Sequence, residues 1–88
     1  SLGLTYKIQK DYKRSLENLN KALEENPENE RALYERAVAA DNYFKDLQTK
    51  IDHYQAYLNK FESKGNEDMI YLAKTRMSDL RKELHLSN

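Results

Sequence analysis

The sequence predicts an all-α fold built from stacked antiparallel helical hairpins. Three observations carry this. The chain repeats itself at a 35-residue spacing: Lys10-Asp11-Tyr12 recurs as Lys45-Asp46-Leu47, and Leu16, Leu19, Ala22 and Leu23 recur as Ile51, Tyr54, Tyr57 and Leu58. Apolar residues recur at helical spacing along the chain. Only two glycines and one proline occur in 88 residues, which leaves little punctuation for a sheet. A repeat of this length is a helix–turn–helix unit that cannot bury its own apolar face, so neighbouring units must stack. Such stacks serve as binding surfaces far more often than as catalysts.

The first segment, residues 2–9, places Leu2, Tyr6 and Gln9 on one helical face and Leu4 and Ile8 on another. Lys10-Asp11 is expected to turn the chain, with Asp11 capping a second helix. Over residues 12–25 the apolar set Tyr12, Leu16, Leu19, Ala22 and Leu23 follows i, i+4, i+7, i+10, i+11, and Glu17 and Lys21 form an i, i+4 pair on the other side. Asn26-Pro27-Glu28-Asn29 is the strongest break, since Pro27 disfavours helix at Asn26 and suits the start of the next helix.

A third helix is expected over residues 28–44. Its stripe is Leu33, Ala37, Ala40 and Phe44, widened by Tyr34 and Val38, and the two small residues admit a close neighbour. Asp46 caps a fourth helix carrying Leu47, Ile51, Tyr54, Leu58 and Phe61. Ser63-Lys64-Gly65-Asn66 is the next turn, with Gly65 suited to follow a helix and Asn66 to cap one. Glu67 and Asp68 then complement the dipole of a last helix that runs to about His85 on Met69, Ala73, Met77, Leu80 and Leu84. The expectation is five helices joined by tight turns.

Composition narrows the function. Lys plus Arg equals Asp plus Glu at fifteen each, so no general attraction to nucleic acid or acidic membrane is expected. The last helix carries Lys74, Arg76, Arg81 and Lys82, but Asp79 and Glu83 interleave with them, as on an ion-paired solvated face. Without cysteine there is no disulfide or thiolate metal site. His53 and His85 have no partners at ligand spacing, so no metal and no cofactor are expected. No phosphate loop or nucleophile motif is present, which argues against an enzyme. No apolar run approaches the ~18–20 residues of a membrane span. Absence of cysteine suits the cytoplasm and the periplasm alike, and any targeting signal is expected before Ser1. The Lys, Asn and Tyr content suggests a bacterial source.

The residues quoted so far resemble the tetratricopeptide repeat. The family's Leu-Gly, two residues, Tyr signature appears as Leu2-Gly3-Leu4-Thr5-Tyr6, and its Gly-Asp-Tyr turn as Lys10-Asp11-Tyr12. Ser15, Leu19 and Ala22 stand at its second-helix packing positions and Pro27 at its closing proline. The second unit departs further: Ala40 replaces the usual Tyr, Tyr57 the packing Ala, and Glu62 the closing Pro. The third, with Met69, Leu72-Ala73 and Arg76, stops after one helix, like the capping helix that ends many such arrays.

The resemblance implies a right-handed superhelix of about two repeats plus a C-terminal capping helix. It implies one domain over residues 1–88: a first repeat with a truncated first helix (1–27), a second repeat (28–64) and a capping helix (66–86), as a C-terminal fragment of a larger protein.

Family members bind peptides or partner proteins on the concave face made by the first helix of each repeat. Carried over, that groove comprises Leu4, Ile8, Tyr34, Glu35, Val38, Asp41, Asn42, Tyr71 and Lys74. Some members clamp the C-terminal carboxylate of heat-shock chaperones, but Glu35 stands where that clamp needs Asn and would repel the ligand. The expected function is a non-catalytic interaction or scaffolding module. The alternative is a structural terminal cap or a self-association module, forming a homodimer through the Leu2, Leu4 and Ile8 end of the truncated helix.

Overall fold

The computed structural model describes the backbone of residues 2–87 and the side chains of residues 9–87. Among these residues the chain is all-helical, in the order α1 (Leu2–Glu25), α2 (Glu30–Tyr43), α3 (Leu47–Phe61) and α4 (Glu67–Ser87). Four helices replace the five expected, because α1 runs unbroken through Lys10 and Asp11. Asp11 is therefore no cap, and the first unit is not a helical hairpin.

The two Lys-Asp copies behave differently for a local reason. At the second copy Phe44 turns out of helix, at φ −84° and ψ 149°. Its ring lies 5.0 Å from Tyr43 and 5.9 Å from His53, centroid to centroid. Asp46 then accepts from the Thr49 amide at 2.9 Å and the Thr49 hydroxyl at 2.6 Å. At the first copy the equivalent residues are Gln9 and Arg14, which offer neither an aromatic anchor nor a hydroxyl. No Gly or Pro lies between residues 4 and 26, so the i→i−4 ladder continues at little cost.

The Pro27 break is present. Asn29 donates to the Asn26 carbonyl at 3.1 Å, the Asn26 side chain accepts from the Glu28 amide, and Pro27 takes the second position of the turn. Asn29 caps α2 by accepting from Ala32, so α2 begins at Glu30 and Glu28 stands outside it. Glu28 instead pairs with Lys60 at 3.2 Å and Lys64 at 3.5 Å, below the end of α3. Asn66 caps α4, accepting from Met69 at 3.1 Å, with Glu67 and Asp68 in the first turn.

Successive helices pack antiparallel. Gln9 meets Asn42 while Asn20 meets Arg36 across α1 and α2, and Gln55 meets Arg81 while Glu62 meets Lys74 across α3 and α4. A main core joins Leu23 of α1 to Leu33 and Ala37 of α2, Ile51, Tyr54, Tyr57 and Leu58 of α3, and Ala73, Met77 and Leu80 of α4. A smaller one groups Leu16 with Ala39 and Ala40. Ala37 and Ala40 are both fully buried, so α2 is approached closely from two sides. The molecule measures 42 × 36 × 19 Å. Its radius of gyration, 13.6 Å, exceeds the roughly 12 Å of a compact globule of this length, as a layered stack should.

Candidate functional site

Two polar junctions set how α4 lies against α2, and both use a tyrosine of α3. Near the start of α2, Glu30 Oε2 accepts from the Tyr57 hydroxyl and the Asn66 amide, each at 2.7 Å. Near its end, Asp41 accepts from the Tyr54 hydroxyl at 2.9 Å and from Arg76 through Nε at 2.6 Å and Nη2 at 2.9 Å, with the Lys50 ammonium 3.5 Å away. Partners 36 and 35 residues apart at the two ends make α2 and α4 parallel. The repeat spacing of the sequence is thus also the offset between these two helices.

Burial pushes the Asp41 carboxyl up, but hydrogen bonds from Arg76 and Tyr54 and the charges of Arg76 and Lys50 outweigh it, leaving it below the ordinary range. Burial and the adjoining carboxylates raise both tyrosines: Tyr54 beside Asp41 and Tyr57 beside Glu30. Both hydroxyls therefore stay protonated and serve as donors.

These junctions absorb part of the groove expected from sequence. Asp41 is a structural tether with a side chain only 11% exposed. Asn42 turns back on its own helix, donating to the Val38 carbonyl at 2.8 Å. Tyr71 is exposed, and Lys74 pairs with Glu62, the residue just after α3, at 2.7 Å. Both line a shallow depression on α4 with Thr75, Ser78, Asp79 and Lys82. The side chains of Leu4 and Ile8 lie outside the described residues.

Tyr34, Glu35 and Val38 are brought together, in a cleft of about 320 Å³ between α1 and α2. Tyr12, Ser15 and Leu19 form the α1 wall, and Ala39 completes the α2 wall. Tyr34 is also a packing residue, edge-on to Tyr57 at 5.6 Å. Glu35 is the one charged residue in this lining, and it pairs with Arg31 of its own helix at 2.9 Å. The expected groove lacks this α1 wall because the sequence reading puts residues 12–25 in a separate second helix. A continuous α1 turns Tyr12, Ser15 and Leu19 into cleft residues.

His53 is partly buried, stacks on Phe44 and donates through Nδ1 to the Thr49 carbonyl at 2.9 Å. Among the described residues no three His, Asp or Glu side chains cluster as a metal site would require, and no helix is long and apolar enough to cross a membrane. The chain matches no family model, no curated protein and no solved structure.

Proposed function

We propose that this chain is a non-catalytic interaction module of the tetratricopeptide kind, holding a peptide or partner protein in the cleft between α1 and α2. The parallel register of α2 and α4 at 35–36 residues supports the family reading. The observation that carries the binding reading is the cleft lining. Tyr12, Leu19, Tyr34 and Val38, all partly exposed, meet in one concave surface bordered by Ser15 and Glu35. Large apolar groups gathered in a concavity with a polar border are the anchors that contact sites use.

Selection of displayed random peptides on the wild-type chain and on Ser15→Arg tests this. Ser15 is exposed, so the variant keeps its fold and fills the cleft. Peptides enriched on the wild type and lost on Ser15→Arg are the expected result. Equal enrichment on both proteins, or none on either, would remove the cleft as the binding site.

A further inference from the structure

We infer that the occupant of the α1/α2 cleft is an amphipathic α-helix lying parallel to α2, a reading that rests on the cleft being a binding site. The internal repeat carries the argument. α2 lies against the α3/α4 hairpin, meeting Lys50, Tyr54 and Tyr57 on α3 and Arg76 on α4. A shift of 35 residues carries Leu47, Lys50 and Tyr54 back onto Tyr12, Ser15 and Leu19. Those three residues are the α1 wall of the cleft. Two of the positions that hold α2, Lys50 and Tyr54, thus fall on the cleft wall, while Tyr57 and Arg76 fall on Ala22 and Asp41 outside it; the α1/α2 hairpin presents part of the seat that α3/α4 presents, and there the seat holds a helix.

The seated helix shows what such an occupant needs. α2 approaches its seat along Glu30, Tyr34, Ala37 and Asp41, an i, i+4, i+7, i+11 line with a fully buried small residue at its middle. Its acidic ends are held by Tyr57 and by Lys50, Tyr54 and Arg76. The α1/α2 seat replaces Lys50 and Tyr54 with Ser15 and Leu19, and its α2 wall is Tyr34 and Val38. Its lining has no cation to pair with a buried acid, and an unpaired carboxylate there would be strongly unfavourable. The occupant thus carries apolar residues at i, i+4 and i+11, Ala or Gly at i+7, and a Lys or Arg beside Glu35.

The probe is a stapled helical peptide of about 16 residues with that pattern. It is compared with a peptide of the same composition held extended by prolines, and binding is followed by amide shifts. Spin labels at either end of the helical probe read its direction. The expected result is binding of the helical probe at least tenfold tighter than the extended one. An N-terminal label broadens Leu19 and Tyr34, and a C-terminal label broadens Tyr12 and Asn42.

Replacing the i+11 residue of the probe by Asp is expected to abolish binding to the wild type. Tighter cleft binding by the extended peptide, or reversed broadening, overturns the helix inference while leaving the cleft a binding site. If neither probe moves cleft resonances, or if a second copy of the chain fills the cleft as a concentration-dependent dimer, the inference fails as well, and the binding-site reading with it in the first case.

Discussion

Asp41 of α2 grips Arg76 of α4 with two near-parallel hydrogen bonds, and the Tyr54 hydroxyl from α3 completes the junction. Three helices thus meet at one carboxylate whose side chain is almost out of solvent, whereas Arg76 is 42% exposed. Asp41→Asn keeps the shape and removes the charge, leaving Arg76 and Lys50 close together without their counterion. Because Arg76 is partly solvated, the expected loss is about 1–3 kcal/mol, below the range for fully buried pairs. Urea unfolding of Asp41→Asn, Arg76→Gln and the double variant measures it. The double variant should lose less than the sum of the singles.

The same junction sets a pH dependence. Asp41 ionises below its ordinary value of 3.8 in the folded chain, despite burial, through Arg76, Tyr54 and Lys50. A depressed carboxyl contributes stability that is complete above the unfolded value and is lost as pH falls through the folded one. Asp41→Asn should therefore lose stability less steeply than wild type below about pH 4 and run parallel to it above pH 5. Glu28 and Asp46 are also lowered, by Lys60 and by Thr49 respectively, and remain in the variant, so a shallower acid slope persists. Circular dichroism along a pH series at fixed urea reads both slopes.

Gly65 is required by space. Its φ is not positive, so it is not the left-handed helix stop that sequence suggested. A Cβ there would run into the Glu30 carboxylate and come within 2.9 Å of both Cβ and the carbonyl oxygen of Phe61. Gly65→Ala should destabilise the chain by about 1–3 kcal/mol by displacing Glu30 from the Tyr57 hydroxyl and the Asn66 amide. Thermal unfolding measures it. The paired variant Tyr57→Phe, which removes one donor to Glu30 without changing the packing, should lose about 1 kcal/mol.

Asp11 and Asp46 occupy the same place in the repeat and should respond oppositely to alanine. Asp46→Ala removes a cap that satisfies the Thr49 amide and should lower the thermal midpoint measurably. Asp11→Ala replaces a weak helix former inside a continuous helix and should be neutral or stabilising by a few tenths of a kcal/mol. Equal losses at both positions would restore the turn at Lys10-Asp11.

The helical class, the span of α3 and the caps at Asp46 and Asn66 were legible because each rests on local chemistry: helical spacing, a side-chain acceptor, a break at Pro27 or Gly65. The repeat suggests a break at Lys10-Asp11, but α1 is continuous there because the deciding features, Phe44 and Thr49, belong to the second copy alone. The junctions at Glu30 and Asp41 were not legible, since each needs α4 placed beside α2. Tyr54 and Tyr57 were nonetheless a signal: a tyrosine on a buried stripe must find an acceptor for its hydroxyl. Tyr71 and Lys74 were placed in the groove by family analogy. Lys74 instead leans toward Glu62 at the end of α3, and the rotation of α4 that decides this is a tertiary property.

The most direct test of the central claim is amide chemical-shift mapping of a peptide selected on the wild-type chain. Perturbations centred on Tyr12, Ser15, Leu19, Tyr34, Glu35 and Val38, with Tyr71, Lys74 and Ser78 unmoved, are the expected result. Perturbations centred on the α4 depression, with the cleft silent, would contradict it.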